Sequence, residues 1–328
     1  MTEIKENKIF VLNEKNYVLY NSKAHDILNI HFKEFSNLYL NTNEGINFIK
    51  KHNNPDTKIL FYFHNLTDFG IKILEFIKTA IIRCELVIFT FDWWIRTPTY
   101  HKNFITTVFK ADRYKVVTFA NNINQLNEFH GVDYKLYLDN IIFINLWCCY
   151  NTSICTFNKK PIDKILLSGS ISNAYPERLK IKHLQNVCLY KYNNIDINEK
   201  NIKGTNNYSS VLNRYLCCFT SSVTVTNVSG NSGNTHMILL KVFEILASGS
   251  LLIYPLSEKK YIKKLGLFHN INCYLIDFSK NLQIQIDEIL DPANRKKIDT
   301  IRYKGFEHAI KNLTSNIKFQ ELKKQLNL

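Results

Sequence analysis

Short apolar runs rich in β-branched and aromatic residues alternate with segments of helical period along the whole chain. In the first half the strand candidates are Ile9–Leu12, Ile59–Phe63, Leu86–Phe91, Tyr114–Phe119 and Ile141–Ile144. Helical patterns lie between them, for example Asp68–Thr79 and Ile123–Phe129. The second half restarts the rhythm with Ile165–Ser168, Val187–Tyr190, Cys217–Phe219, Leu251–Tyr254 and Cys273–Ile276. Such alternation predicts an α/β fold built on parallel sheets. Residues 150–161 are polar and end in Lys159-Lys160-Pro161, which reads as an interdomain linker. Two α/β domains follow, residues 1–158 and 159–328, and the stretch from Asp291 onward, without strand signal, reads as helix.

Composition narrows this picture. The chain is 328 residues long with 45% hydrophobic, 13% aromatic and 21% charged residues, enough apolar material for two packed cores and too little charge for intrinsic disorder. No apolar run approaches the length of a membrane span, and the polar start, Met1 to Lys8, lacks the apolar core of a signal peptide, so a cytoplasmic protein without a transmembrane segment is expected. The eight cysteines form no CxxC and are expected to be reduced, mostly buried thiols. A net charge of +14 favours an anionic partner such as a nucleotide or nucleic acid. The lysines are scattered, however, and an AT-rich genome would supply Lys, Asn and Ile through codon usage, so nucleic acid is possible but not favoured.

Two segments carry candidate chemistry. From His236 to Ala247 only His236, Lys241 and Glu244 are polar, and the stretch reads as one buried helix running into the strand Leu251–Tyr254. On such a helix, with His236 at zero, Glu244 falls at about 80° and Lys241 at about 140°, and the two ends lie roughly 12 Å apart along the axis. A carboxylate there needs a hydrogen-bonding partner, and the diol of a ribose is a natural one. A Lys241–Glu244 pair beside a core histidine is the plainer alternative. Gly230-Asn231-Ser232-Gly233-Asn234-Thr235 precedes this segment, a small-residue loop whose N–H groups suit an anion, with Asn234 or Thr235 as N-cap. In the second segment a strand ends at Ser168-Gly169-Ser170 and a helix starts with Pro176, placing Arg178 where it can reach a phosphate over the strand's carboxyl end. Neither a Walker loop nor a GxGxxG is present.

Taken together, a strand ending in Gly169-Ser170, then Tyr175-Pro176-Glu177-Arg178, and some 60 residues later Lys241-Val-Phe-Glu244-Ile-Leu-Ala-Ser248-Gly249-Ser250-Leu-Leu, resemble the C-terminal nucleotide-sugar-binding domain of GT-B glycosyltransferases of the group 1 or family 4 type. The resemblance covers about residues 160 to 325, with Arg302 to Glu321 similar to that family's closing helices. It implies a GT-B fold, two Rossmann-like domains facing each other across a cleft, and transfer of a sugar from a nucleoside-diphosphate sugar. That donor is a co-substrate, and no other cofactor or metal is implied. Of the family's Glu-x7-Glu element, the second carboxylate falls at Glu244, the expected ribose contact, and the first at His236, a departure that puts an imidazole near the donor sugar or phosphate. Arg178 falls where the family neutralises the diphosphate. Ser170 replaces a usual arginine, and Lys241 is a candidate for the missing charge.

The implied donor set is therefore Ser168, Gly169, Ser170, Arg178, Asn234, Thr235, His236, Lys241 and Glu244, with Asp92, His236 and Arg178 as catalytic candidates. In the N-terminal half, His64 and the Asp92-Trp93-Trp94 run each follow a buried strand and are candidates for the acceptor side, the rings stacking on a sugar and Asp92 orienting a hydroxyl. The acceptor, a glycan, lipid, protein or modified base, stays open, and retention of configuration is implied by the resemblance alone. A non-catalytic GT-B module and a basic nucleic-acid-binding protein are the alternatives.

Overall fold

Both sets of strand candidates form parallel sheets in the computed structural model, which describes residues 8–14, 32–63, 68–90, 114–118, 123–130, 133–144, 156–168, 171, 175–190, 206–225, 235–238 and 240–328. The chain divides into two compact units, one of residues 1–145 with 227–235 and 321–328, the other of 146–226 with 236–320.

The first unit contains β1 (Lys8–Glu14), β2 (Ser36–Leu40), α1 (Thr42–Lys51), β3 (Thr57–Phe63), α2 (Asp68–Thr79), β4 (Glu85–Thr90), β5 (Tyr114–Thr118), α3 (Ile123–His130) and β6 (Ile141–Phe143). Its sheet runs β2-β1-β3-β4-β5-β6, every pairing parallel. Leu86, Val87, Ile88 and Phe89 of β4 are all buried, the continuous apolar run of a strand covered on both faces. β2 escaped the pattern because Ser-Asn-Leu-Tyr-Leu is a half-exposed edge strand with no sustained apolar run. Beside it, α1 starts at a capping box: Asn41 Oδ1 accepts from the Glu44 N–H at 3.0 Å and Glu44 Oε2 from the Asn41 N–H at 2.8 Å. The end of the chain joins this unit. Buried Lys58 in β3 pairs with Glu85 at 3.2 Å and donates to the Leu326 carbonyl, while Lys323 bonds Glu34 and lies over the Phe32 ring, 5.7 Å from its centroid.

In the second unit come β7 (Ile162–Ser168), α4 (Pro176–Ile181), β8 (Val187–Tyr190), α5 (Asn206–Asn213), β9 (Tyr215–Phe219), β10 (Val223–Val225), β11 (Thr235–Met237), α6 (Leu240–Ala247), β12 (Leu251–Pro255), α7 (Lys259–Lys263), β13 (Tyr274–Ile276), α8 (Leu282–Leu290), α9 (Arg295–Asn312) and α10 (Ser315–Leu326), the last ending in the first unit. The parallel sheet has the order β13-β12-β9-β7-β8. Successive strand residues face opposite layers: Leu166, Cys218 and Leu252 pack with Val242 and Phe243 of α6, whereas Leu167, Phe219 and Ile253 pack with Ile181 of α4, Ile286 of α8 and Ile301 of α9. Among the described residues Cys84, Cys188, Cys217, Cys218 and Cys273 are free thiols, and burial pushes Cys218 and Cys273 up to about 12. No helix among the described residues is long and apolar enough to cross a membrane.

One expectation is corrected. The stretch from His236 to Ala247 is not a single helix: Thr235–Met237 forms β11, paired with β10, and α6 begins at Leu240. A short apolar run is compatible with either period, and here a ladder with β10 satisfies the backbone before the helix starts. The axial separation and angular relation between His236 and Glu244 therefore do not hold.

Gly305 of α9 has no room for a side chain. A Cβ there would lie 2.5 Å from the Asn272 carbonyl oxygen and 3.0 Å from Leu246 Cδ2. An interior helical Gly→Ala exchange ordinarily gains about 1 kcal/mol. At Gly305 the backbone clash reverses the sign, and Gly305→Ala is expected to destabilise by about 1–3 kcal/mol in denaturant titrations. A gain in stability would show that α9 slides to make room.

Candidate functional site

Both sheets place their reversal of strand order beside the first strand of the unit, between β1 and β3 and between β7 and β9. In doubly wound sheets the connections leave such a point in opposite directions, opening a crevice outside the carboxyl ends of the strands. In the first unit the chain following β1 and β3 lies outside the described residues, and His64 falls there; Asp92, Trp93 and Trp94 are likewise outside them. In the second unit residues 169–170 and 172–174, which follow β7, are likewise outside the described residues, but the chain following β9 is described.

Arg178 occupies the second unit's crevice. The chain leaves β7 at Ser168, and Pro176 occupies the first position of α4, where its missing N–H removes no helical bond. The Arg178 and Leu179 N–H groups bond the Tyr175 carbonyl. The Arg178 side chain, 1% exposed, then turns to the neighbouring strand, where Nη2 donates to Thr220 Oγ1 at 3.0 Å just past the end of β9. Its guanidinium lies 3.9 Å from the Tyr175 ring centroid, a cation–π stack. Thr220 is fixed in turn by its N–H bond to the Ile253 carbonyl of β12 at 3.2 Å. A planar cation is thus held across the strands on either side of the reversal.

α6 brings a second cation. Lys241 and Glu244 are half-buried on this helix, whose Val242, Phe243, Ile245, Leu246 and Ala247 are buried. Burial pulls the Lys241 ammonium below its ordinary range; Glu244 opposes that shift, and Arg178 adds to it. The charges of Arg178 and Glu244 thus both act on Lys241, in opposite directions. The helix ends in a Schellman motif: Gly249, at φ +73°, gives its N–H to Leu246 O, and Ser250 gives its own to Ile245 O. Ser250 Oγ then donates to the carbonyls of Leu212 and Tyr215. The Ala-Ser-Gly-Ser step that stood out in the sequence is therefore the joint between α6 and β12.

Of the donor-site residues read from the sequence, the structure brings Arg178, Lys241 and Glu244 into one neighbourhood. Ser168 ends β7, and Thr235 and His236 lie in β11, where only their backbones are described; Gly169, Ser170 and Asn234 are outside the described residues. Sequence reasoning missed Thr220 and the ring of Tyr175. The polar triplet Thr220-Ser221-Ser222 immediately after the apolar strand was the available signal. Among the described residues no three His, Cys, Asp or Glu side chains gather to hold a metal ion.

No protein-family model matches the chain, and no curated protein matches it by sequence. Solved structures do match. Anabaena Alr3699/HepE in complex with UDP-glucose shares 9% identity over 97% of this chain and 99% of its own, with a TM-score of 0.62. A glycosyltransferase from Rickettsia africae shares 10% identity over 97% of this chain and 98% of its own, with a TM-score of 0.57. The pneumococcal O-GlcNAc transferase GtfA in complex with UDP and GlcNAc shares 12% over 86% of this chain, with a TM-score of 0.52, and this chain spans only 59% of its length. These likenesses show the fold: α/β, of the GT-B type.

Proposed function

We propose that the chain is a glycosyltransferase that moves a sugar from a nucleoside-diphosphate sugar to an acceptor that is a glycan, lipid, protein or modified base. The observation that carries this reading is the nearly fully buried Arg178 guanidinium, fixed at the strand-order reversal with Lys241 within its field. Solved structures of the same fold hold UDP and sugars, in keeping with a nucleotide donor.

In this mechanism the leaving diphosphate lies over the carboxyl ends of β7 and β9. Arg178 and Lys241 take up the negative charge that grows as the glycosidic bond breaks, without a metal, and the family resemblance adds N–H donors from Gly169 and Ser170, which lie outside the described residues. Glu244 accepts the ribose hydroxyls, and His236 stands near the sugar or phosphate. Retention of configuration follows the family resemblance. Because Arg178 is already ordered by Thr220 and Tyr175, little side-chain entropy is lost when the diphosphate arrives.

Glu244→Ala tests the ribose contact. Loss of a hydrogen bond to a charged acceptor, worth about 1.5–3 kcal/mol, is expected to weaken nucleoside-diphosphate binding by a factor of ten or more. The position is half-buried, so unfolding transitions should change little. Unchanged affinity for UDP, GDP and ADP would remove the ribose assignment.

A further inference from the structure

Beside Arg178, at the carboxyl ends of β9 and β12, lies a buried polar cluster of which the proposed chemistry uses only Thr220. Thr220, Ser221, Ser222 and Tyr254 are fully buried, and Glu258 is 2% exposed. Glu258 Oε2 accepts from the Ser222 N–H at 3.0 Å and from Ser222 Oγ–H at 2.6 Å. The second distance is that of a charge-assisted bond. Glu258 sits at the N-cap position of α7, where a carboxylate ordinarily takes N–H groups of the first turn, yet its side chain makes no such cap. Two hydrogen bonds run instead from the chain leaving β9 to this carboxylate.

That chain is the one holding the guanidinium. Ser222 lies two residues beyond Thr220, whose hydroxyl receives Arg178. The Tyr254 phenol is pushed well above its ordinary range, first by burial and then by Glu258, while Arg178 opposes the shift. Two bonds from a single carboxylate oxygen to backbone and hydroxyl of one residue fix both the path and the rotamer at Ser222.

We propose that Glu258 is a positioning residue: through Ser222 it pins residues 220–222 and thereby sets the attitude in which Arg178 meets the diphosphate. This rests on the donor-site reading given above. The brace predicts a phenotype confined to the phosphate part of the ligand, whereas a purely structural role predicts a lower unfolding midpoint with no such selectivity.

The experiment titrates UDP, GDP and ADP into the unmodified protein, takes the tightest of the three, and compares it with its own nucleoside for Glu258→Ala, Glu258→Gln and Ser222→Ala, all at a temperature where each variant is folded by circular dichroism. Glu258→Ala is expected to raise the Kd for the diphosphate about tenfold, the scale of one charge-assisted hydrogen bond, and to leave the nucleoside Kd unchanged. Glu258→Gln keeps an acceptor for Ser222 and is expected to restore most of the affinity. Ser222→Ala, which loses the hydroxyl but keeps the backbone donor, falls between, and it serves as the probe if Glu258→Ala does not fold. Wild-type affinity in both alanine variants, or an equal loss for diphosphate and nucleoside, overturns the brace while leaving the donor site in place. If the unmodified protein binds none of the three diphosphates, the donor-site reading fails, and the brace with it.

Discussion

Arg178→Ala is expected to lower the release of nucleoside diphosphate from the donor sugar by about 10²–10³-fold, the cost of deleting one preorganised group that stabilises charge in a transition state. The size of the effect comes from where the guanidinium is held. It is 1% exposed, fixed by Thr220 Oγ1 at 3.0 Å and stacked on Tyr175 at 3.9 Å, so the charge is presented without reorganisation in surroundings that screen it poorly. Arg178→Lys keeps the charge but loses the planar stack and the fork of donors, so recovery should be partial. Lys241 lies in the same field and is expected to carry part of the residual activity. Turnover of Arg178→Ala comparable to that of the unmodified protein, with folding confirmed by circular dichroism, would mean that the leaving group departs elsewhere.

The largest effect on stability is expected from Arg302→Met, which keeps much of the volume and removes the donors. Arg302 is 1% exposed. It donates to the Gly249 carbonyl at 3.1 and 2.8 Å, to the Asn158 carbonyl at 3.0 Å and to Asp299 at 2.5 Å, and it lies 4.8 Å from the Phe157 ring centroid. One side chain of α9 therefore ties the joint between α6 and β12 to the segment that leads into β7. Asp299 is partly exposed and also bonded to Arg295, so it tolerates the loss. The buried Gly249 carbonyl and the partly buried Asn158 carbonyl do not, and at about 1–3 kcal/mol for each unsatisfied group the variant should be less stable by about 3 kcal/mol in denaturant titrations. Nucleoside-diphosphate affinity measured below the transition should be preserved, since the described partners of Arg302, Gly249, Asn158, Asp299 and Phe157, are not among the proposed donor residues. A loss of affinity with normal stability would assign Arg302 to the site instead.

How much could be read beforehand depended on the kind of signal. Buried parallel strands announce themselves as unbroken apolar runs: Ile59–Phe63 and Leu251–Tyr254 fall on observed strands, and so does Leu86–Thr90 of the run Leu86–Phe91, whose last residue lies outside the described residues. Arg178, Lys241 and Glu244 stood out in the sequence because helical period and loop position are local properties, and a charged residue among apolar neighbours is conspicuous; their roles at a donor site remain the proposal made above. β2 carried no such run, and the switch from strand to helix between Met237 and Leu240 was hidden because Met, Ile and Leu suit both. The part played by Thr220 and by Glu258 was also hidden. Thr220 and Arg178 are 42 residues apart, Ser222 and Glu258 36, and nothing in a linear pattern says that β9 lies between β7 and β12.

The order of amino acids by itself determined the alternation of strands and helices, the apolar surfaces that force both faces of each sheet to be covered, and which ionisable groups stand among greasy neighbours. These follow from backbone hydrogen bonding and water aversion acting over a few residues. Only the tertiary structure decided the strand order, and with it the place where the sheet's connections part and a cation, two hydroxyls and a carboxylate meet. Such meetings depend on contacts between residues far apart in the chain, whose entropic cost is repaid only when the whole core assembles.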